Sequence, residues 1–247
     1  MYAHDMVVST SYLKCDFEQG NVGCCDGVRC LGDEKESGRG VSFVSLSRYI
    51  ARQFGKPEGV SGAFVSCVMN RQNRPLYRDV IRLLPLSDSD SVLDLGCGNG
   101  YVLNMLASSS ACALTGVDFS SGAINSAMSK NRKFVSSGKM NLVCRDMREL
   151  PFPDSAFDKA VSINTVYFWE DLDGIMAEVR RVLKPSGLFV NALFTNDTLD
   201  RFSHTKFGYK RFMPNELVFA ARNAGFAVDV TTVFDGKAYC LVCRREG

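Results

Sequence analysis

The sequence Ser91-Val-Leu-Asp-Leu-Gly-Cys-Gly-Asn-Gly100 joins a short apolar run to glycines at every second position. The apolar residues on either side of Asp94 predict a buried strand, and the residues from Tyr101 to Ala107 are compatible with a helix. A glycine turn between a strand and a helix lets bare backbone approach a ligand closely. Asp94, two residues before the first glycine, adds a carboxylate that can accept hydrogen bonds from a cationic ligand.

Three further apolar segments follow, and polar residues stand where each one ends. Residues 112–118 end in Asp118, residues 140–144 are followed by Arg145-Asp-Met147, and residues 157–163 are followed by Asn164. Asp118 lies about twenty residues past the glycines, the distance at which an acid reaches a ribose diol in a β-α-β unit. Because open α/β sheets bind ligands at the carboxyl ends of parallel strands, these segments predict a ligand site there.

Four ordered motifs resemble those of the class I S-adenosylmethionine-dependent methyltransferases, especially the quinone-biosynthesis-like and small-molecule subgroup. Val92 to Gly100 resembles their first motif, and Gly116-Val-Asp-Phe-Ser120 resembles their ribose-binding second motif. Arg145-Asp-Met-Arg-Glu-Leu-Pro-Phe152 resembles their adenine-binding third motif, and Arg180-Arg-Val-Leu-Lys-Pro-Ser-Gly-Leu-Phe189 the turn into their fifth strand. The likeness covers roughly residues 75–244 and is specific for fold and cofactor, not for the methyl acceptor.

The resemblance implies S-adenosyl-L-methionine as the cofactor. By this likeness the glycine turn passes against the methionine part, Asp94 lies near its amino group, and Asp118 accepts the two ribose hydroxyls. Asp118 is also a candidate cap for the helix after Ser120, and the two roles are compatible. The cofactor-binding residues expected on this basis are Asp94, Gly96, Cys97, Gly98, Asp118, Phe119, Asp146, Met147 and Asn164.

The later members of this set have separate implied roles. Phe119 is expected to cover one face of the adenine, Asp146 to accept its amino hydrogens, and Met147 to offer a backbone amide to a ring nitrogen. An exposed loop pair is the alternative interpretation of Asp146 and Met147. Asn164 stands where the family places backbone contacts to the methionine end.

The predicted fold is α/β: a Rossmann-like, seven-stranded, mostly parallel sheet with a C-terminal antiparallel hairpin and helices on both faces. Crossover helices join five parallel strands, and a turn at Asp235-Gly236 joins the last two strands. We expect a disordered N-terminal extension at residues 1–40, a helical lid or cap segment at 41–90, and the S-adenosylmethionine-binding methyltransferase domain at 91–247.

Capping residues predict the limits of individual helices. Ser120 and Ser121 can cap a helix that runs to about Lys133, and Asp171 can cap the helix before the fifth strand. Proline and glycine in Lys184-Pro-Ser-Gly187 end that second helix. The residues of the first helix that are expected to face inward are Ala123, Ile124, Ala127 and Met128.

Ten cysteines raise the question of a metal site or disulfides. Four near the amino terminus lack the paired C-x2-C spacing of common zinc sites, and we interpret them as unliganded thiols; a metal site is the alternative. No metal is therefore predicted. These four are Cys15, Cys24, Cys25 and Cys30. Most of the others are interpreted as small buried hydrophobes: Cys67, Cys97, Cys112, Cys144, Cys240 and Cys243.

Charge and hydropathy limit the classes of partner. The net charge of +2 gives no argument for an acidic partner. The bases between Arg48 and Arg82 are interpreted as a solvated helix face rather than a nucleic-acid surface. The chain has neither an apolar run of membrane-spanning length nor a secretion-signal pattern, so secretion is unsupported. A cytoplasmic, reduced location is expected from the enzyme class that the motifs resemble.

The methyl acceptor is predicted only as a class. An aromatic set beyond the fourth and fifth strands suits a flat or apolar small molecule better than a nucleic acid, although ordinary core packing also explains such residues. His204 could act as a base near neutral pH, but no catalytic residue is assigned, because alignment of the acceptor with the sulfonium methyl is the main requirement. Candidate acceptor contacts are Tyr167, Trp169, Asn191, Phe194, His204, Tyr209 and Phe212.

Other functions remain open at this level. The chain could be a catalytically silent S-adenosylmethionine-binding partner subunit, or it could methylate a protein or an RNA. Asn164-Thr-Val-Tyr167 lacks the N/D-P-P-Y/F/W tetrapeptide of many amino-group methyltransferases, which weakens that last alternative. A NAD-dependent dehydrogenase ranks behind all of these, because the glycines form GxGxG rather than GxGxxG.

Overall fold

The computed structural model describes residues 59–206 and 208–247, of which residues 59–68 are described by their backbone alone. The predicted extension at residues 1–40, with its four cysteines, lies outside the described residues. So do residues 41–58 of the predicted lid segment. All of the described residues belong to one unit of the chain.

Within these residues, helices and strands alternate as predicted. The strands are β1 (Ser91–Leu95), β2 (Ala113–Asp118), β3 (Met140–Cys144), β4 (Phe157–Ile163), β5 (Leu183–Phe194), β6 (Phe226–Val233) and β7 (Ala238–Arg245). The α-helices are α1 (Gly59–Arg82), α2 (Tyr101–Ser109), α3 (Ser121–Lys130), α4 (Arg132–Ser136), α5 (Leu172–Val182), α6 (Asn196–Asp200) and α7 (Pro214–Asn223). Short 3-10 helices span Val166–Phe168 and Ser203–Lys206.

The strands form one sheet in the order β3-β2-β1-β4-β5-β7-β6. The pairs among β1 to β5 are parallel, and β7 lies antiparallel between β5 and β6. This confirms the predicted seven-stranded, mostly parallel sheet with a terminal hairpin. The order reverses between β1 and β4, so the ends of β1, β2 and β4 meet at the switch point where such sheets bind ligands.

Helices cover both faces of the sheet, because its strands are apolar on both sides. Val92 packs among side chains of α1, α2 and α3, whereas the adjacent Leu93 packs among side chains of α5 and α7. Successive strand residues point to opposite faces, so α1–α4 form one layer and α5–α7 the other.

Three local predictions differ from the structure. The helix expected to reach Lys133 is interrupted at Asn131, whose buried amide donates to the carbonyls of Gly100 (3.1 Å) and Ala127 (3.0 Å). That side chain competes with continued helix and ties α3 to the start of α2. Met128 was expected to face inward but is 42% exposed. Cys144 is also exposed rather than buried.

The connection from β3 to β4 contains no helix, unlike the predicted crossover. Instead Arg181 of α5 holds it: its guanidinium donates to the carbonyls of Leu150 (3.1 Å) and Phe152 (2.8 Å). The same side chain pairs with Glu178 at 2.7 Å, which in turn accepts the Leu150 amide at 2.7 Å. The fork of donors on arginine therefore substitutes for helical hydrogen bonds in this loop.

Candidate functional site

The glycine turn between β1 and α2 is shaped for the close approach of another molecule. Gly96, Gly98 and Gly100 all have positive φ, of 72°, 53° and 71°. A Cβ on Gly96 would lie 2.5 Å from Cγ2 of Thr165, so the turn packs tightly on its inner side. A Cβ on Gly98 would meet nothing within 4 Å. The backbone at Gly98 is thus bare and faces open space.

Asp94 is a buried carboxyl group beside this turn. Asp94 is 3% exposed, and its Oδ2 has no hydrogen-bond partner. Burial, with a smaller contribution from the charge of Asp118, raises the pKa of Asp94 to about 7. Burial also raises the pKa of the nearby Tyr77 hydroxyl, to about 12. A buried acceptor without a donor is costly unless a ligand supplies one.

Asp118 ends β2 on the neighbouring strand and joins two loops. Its Oδ2 accepts the Gly98 amide at 3.0 Å, and its Oδ1 accepts the Ser120 amide at 2.9 Å. Ser120, not Asp118, caps α3, since its hydroxyl accepts the Ala123 amide. Burial raises the pKa of Asp118, although these two bonds oppose that shift. Each carboxylate oxygen keeps capacity for a further donor.

The two carboxylates are not neutralised from within the chain. In the described part of the protein, neither Asp94 nor Asp118 forms an ion pair with a lysine or arginine. They flank a turn of positive-φ glycines at the switch point of the sheet. This arrangement can hold a ligand that carries a cationic group and vicinal hydroxyls.

The residues after β2 and β3 stand at the same carboxyl edge of the sheet as the glycine turn. Phe119 is 56% exposed, so its ring is available to a flat ligand. Asp146 is also exposed, and Arg148 donates to both of its oxygens, from Nε at 3.1 and 3.0 Å. That pairing holds the pKa of Asp146 below its usual range. Met147 packs against the apolar core.

Asn164 ends β4 in a left-handed conformation, with φ of 59°. Its backbone amide donates to the Ala192 carbonyl at 2.8 Å, and its side-chain Oδ1 accepts the Tyr167 hydroxyl at 3.0 Å. The Tyr167 oxygen in turn accepts the Phe194 amide at 2.5 Å. These bonds fix the backbone at the ends of β4 and β5, while Nδ2 of Asn164 has no partner.

Three of the predicted acceptor contacts lie inside the protein. Tyr167, Trp169 and Asn191 are 1%, 2% and 0% exposed. Burial raises the pKa of Tyr167 well above its usual range, so its hydroxyl stays protonated. Nε1 of Trp169 and both amide atoms of Asn191 are buried without a partner. These side chains therefore belong to the interior and present no surface to an acceptor.

Tyr209 and His204, two of the other predicted acceptor residues, belong to an aromatic cluster that includes Tyr167. Tyr209 lies with its ring centroid 5.2 Å from Tyr167, 4.9 Å from Phe168 and 6.1 Å from His204. Burial lowers the pKa of His204 to about 4 and raises that of Tyr209. His204 is therefore neutral at physiological pH and is a weak base. Phe194 and Phe212 pack partly buried at the edge of the core.

Helix α1 supplies site residues that the sequence pattern did not indicate. The Asn70 amide donates to Asn99 in the glycine turn at 3.1 Å, and the Tyr77 hydroxyl donates to Asn70 at 3.4 Å. The Tyr77 ring lies 5.7 Å from Tyr101, the first residue of α2. Only the tertiary contacts identify Asn70 and Tyr77 as site residues, because an asparagine or a tyrosine on a helix is not part of a motif.

The described residues include neither a metal-binding group nor a membrane-spanning helix. They contain no group of three or more His, Cys, Asp or Glu side chains placed to hold a metal ion. Nor is any helix within residues 59–206 and 208–247 long and apolar enough to cross a membrane.

Comparison with known proteins identifies the same region. Residues 93–191 match the Methyltransf_11 family, described as a methyltransferase domain. A sterol 4-C-methyltransferase of Caenorhabditis elegans is 37% identical over 129 residues, 50% of this chain and 37% of that protein. The mitochondrial arginine hydroxylase NDUFAF5 of Rattus norvegicus is 31% identical over 121 residues, 49% of this chain and 32% of that protein. The chain thus covers about a third of each relative.

Solved structures share the fold. A geranyl diphosphate C-methyltransferase from Streptomyces coelicolor, in complex with Mg²⁺, geranyl diphosphate and S-adenosyl-L-homocysteine, superposes with a TM-score of 0.62 at 15% identity. The superposition covers 78% of this chain and 86% of that one.

Proposed function

We propose that this chain, whose residues 93–191 match a methyltransferase domain family, is a class I S-adenosylmethionine-dependent methyltransferase that transfers a methyl group to a small apolar metabolite. The observation that carries the proposal is the buried carboxyl of Asp94, whose Oδ2 has no hydrogen-bond partner, beside a turn of bare glycine backbone. An ammonium group is the ligand that such a carboxylate lacks.

The residues present fit S-adenosylmethionine. Asp94 would receive its amino group, the backbone at Gly98 would lie against its methionine part, and the free lone pairs of Asp118 would accept the ribose hydroxyls. Phe119 would cover the adenine, with Asp146 and the Met147 amide at its edge. Asn164 and its neighbours would present backbone groups to the methionine end. Cys97 and Gly96 shape the turn from within.

Methyl transfer from this cofactor requires little acid-base catalysis by the protein. The bound cofactor supplies an already electrophilic methyl group. The task of the protein is therefore to orient an acceptor in line with it and to exclude water. The cluster of Tyr209, Phe168 and His204 offers an apolar, aromatic wall for this purpose. With its pKa near 4, His204 is poorly suited to take a proton from a weakly acidic acceptor.

The aromatic wall favours an apolar acceptor, and two of the similar proteins are named for a sterol or isoprenoid substrate. The Caenorhabditis elegans relative is named for a sterol and the Streptomyces enzyme for geranyl diphosphate. Tyr167, Trp169 and Asn191 would support the wall from beneath, while Tyr209 and His204 would contact the acceptor. These assignments rest on burial and ring geometry.

A second candidate function is supported by the arginine hydroxylase relative, which matches about half of this chain. A chain of this fold could bind the cofactor without transferring its methyl group to a small molecule. A silent partner subunit or a protein or RNA methyltransferase would have the same cofactor cleft.

Incubation of the full chain with cofactor carrying an isotope-labelled methyl group tests these possibilities. The acceptors would be a lipid extract, an aqueous metabolite extract, total protein and total RNA, each analysed by mass spectrometry. We expect labelled product in the lipid extract, and none with Asp118→Ala. Label in protein or RNA would contradict the proposed acceptor class. Cofactor binding by calorimetry without transfer to any fraction would identify a silent subunit instead.

A further inference from the structure

The near-neutral net charge of the chain conceals an uneven distribution between the two helical layers. In the described residues, the layer formed by α1–α4 contains a single acid, Asp79. The bases of the same four helices are Arg71, Arg74, Arg78, Arg82, Lys130, Arg132 and Lys133, and all of them are exposed.

The opposite layer has the opposite balance. Helices α5–α7 contain more acids than bases, namely Asp173, Glu178, Asp197, Asp200 and Glu216 against Arg180, Arg181 and Arg222. Further carboxylates, at Glu170 and Asp171, line a groove on this side with Asp173 and Glu216. The helices of the two layers therefore differ in charge, and within the described residues the bases of α1–α4 have a single acid on their own helices.

The arginines of α1 form one continuous stripe. Arg71, Arg74, Arg78 and Arg82 recur at spacings of three and four residues, so they lie within an arc of about 80° along about 16 Å of the helix. Leu76 and Val80, on the other side of the helix, are fully buried against the sheet. The stripe faces solvent because the apolar side of α1 fixes the rotation of the helix.

Most of this charge has no ion-pair partner among the described residues. Of the four stripe arginines, only Arg82 forms an ion pair within the described chain, with Asp79 at 3.3 Å. The stripe also adjoins the cofactor cleft, since α1 contacts the glycine turn through the bond between Asn70 and Asn99. A flat array of unpaired guanidinium groups is suited to phosphate and carboxylate groups on another surface.

We propose that the basic face of α1–α4 docks on an anionic lipid bilayer and places the cleft near the membrane surface. Charge complementarity supports an anionic partner, and exposed Met128 of α3 adds an apolar contact on the same face. RNA fits less well, because the described aromatic rings of these helices are either buried, as in Tyr77, or half-buried with a lysine ammonium already over the ring, as in Tyr101 and Phe134. Single-stranded RNA is usually held by exposed stacking rings. The choice of lipid over RNA also rests on the apolar acceptor proposed above.

The test uses the full chain and two kinds of vesicle, phosphatidylcholine alone and phosphatidylcholine with about 30% phosphatidylserine, in about 0.1 M salt. Flotation measures the bound fraction without cofactor or acceptor, so binding can succeed or fail independently of methyl transfer. We expect binding only to the anionic vesicles, and its release at about 0.5 M salt. The stripe variant is Arg71→Gln/Arg74→Gln/Arg78→Gln, which keeps helix-forming residues at exposed positions.

The matched control, Arg201→Gln/Arg222→Gln/Arg244→Gln, removes the same charge from exposed positions outside the basic helices. We expect the stripe variant to lose about tenfold or more in vesicle affinity and the control to stay within about twofold of the parent. If the triple variant melts early, Arg74→Gln alone replaces it in the test, and we expect a partial loss of vesicle affinity. Equal affinities of the two triple variants would overturn the proposal. Absence of vesicle binding by the parent would also overturn it. So would a parent that binds transfer RNA but no vesicles, if the stripe variant loses the transfer-RNA binding.

Discussion

Asp118 is the residue at which two structural tasks and one proposed binding task meet. It holds the amides of Gly98 and Ser120, and we propose that its remaining lone pairs accept the ribose hydroxyls. A hydrogen bond to a charged acceptor contributes about 1.5–3 kcal/mol, and the contributions of two neighbouring bonds are not fully additive. We therefore expect Asp118→Ala to weaken binding of S-adenosyl-L-homocysteine by about 2–4 kcal/mol, or about thirty- to a thousandfold, as measured by calorimetry.

Two variants separate this loss of affinity from a loss of structure. Ser120→Ala removes the observed cap of α3, so it should lower stability by about 1 kcal/mol and leave affinity nearly unchanged. Asp118→Asn keeps one acceptor but removes the charge. Parent-like cofactor binding by Asp118→Asn, with only an earlier melting transition in Asp118→Ala, would show that the ribose assignment is wrong.

Asp94 makes a prediction about pH. Its pKa is raised to about 7, so below that pH the free protein holds Asp94 as the neutral acid. An ammonium ligand requires the ionised form, and binding must then release a proton. Affinity for S-adenosyl-L-homocysteine should rise about tenfold for each pH unit between about pH 5 and 7, and then level off.

Asp94→Asn is the control for this pH dependence. It removes the titrating group, so its weaker affinity should be nearly constant over the same range. Calorimetry in buffers of different ionisation enthalpy measures the released proton directly. A parent whose affinity does not change with pH would contradict the pairing of Asp94 with an ammonium group.

At the scale of elements, the glycine turn offers a comparison between two of its own positions. Gly98→Ala places a methyl group in open space at positive φ, which should cost about 1–2 kcal/mol of stability and at least about tenfold in cofactor affinity. Gly96→Ala adds a collision with Thr165 and should cost about 2–4 kcal/mol of stability.

Gly138 provides the matched control for the turn. It also has positive φ, of 75°, and a Cβ there would meet nothing within 4 Å. It lies between α4 and β3, away from the ends of β1 and β2. Gly138→Ala should therefore show the strain without the loss of affinity. If Gly98→Ala and Gly138→Ala bind cofactor equally well, the ligand does not pass against Gly98.

At the scale of the whole molecule, the amino-terminal segment is predicted to be dispensable for cofactor binding. The described residues already enclose large buried clusters on both faces of the sheet. Deletion of residues 1–38 should leave the melting temperature and the cofactor affinity nearly unchanged, as measured by circular dichroism and calorimetry. A large loss of folding, or stoichiometric zinc released from the full chain, would contradict the interpretation of Cys15, Cys24, Cys25 and Cys30.

The sequence alone was sufficient for the sheet and for the position of the glycine turn after β1. Strands β3 and β4 have the predicted limits, and the five parallel strands and the hairpin follow as expected. Runs of apolar residues, glycines and capping side chains act on near neighbours in the chain, so a local pattern is enough to specify them. The acid before the glycines, Asp94, was identifiable for the same reason. The proposed roles of individual site residues remain predictions.

Tertiary structure alone decided which side chains meet across the fold. Asn70 and Asn99 are 29 residues apart and Tyr167 and Phe194 are 27 apart, yet their hydrogen bonds shape the cleft. The exposure of Met128 and the interruption at Asn131 likewise depend on how α3 packs against α2. The separation of charge is of the same kind: composition gives +2, but only the packing of α1–α4 on one face assembles the basic surface. These features arise from contacts between distant segments, which no local periodicity encodes.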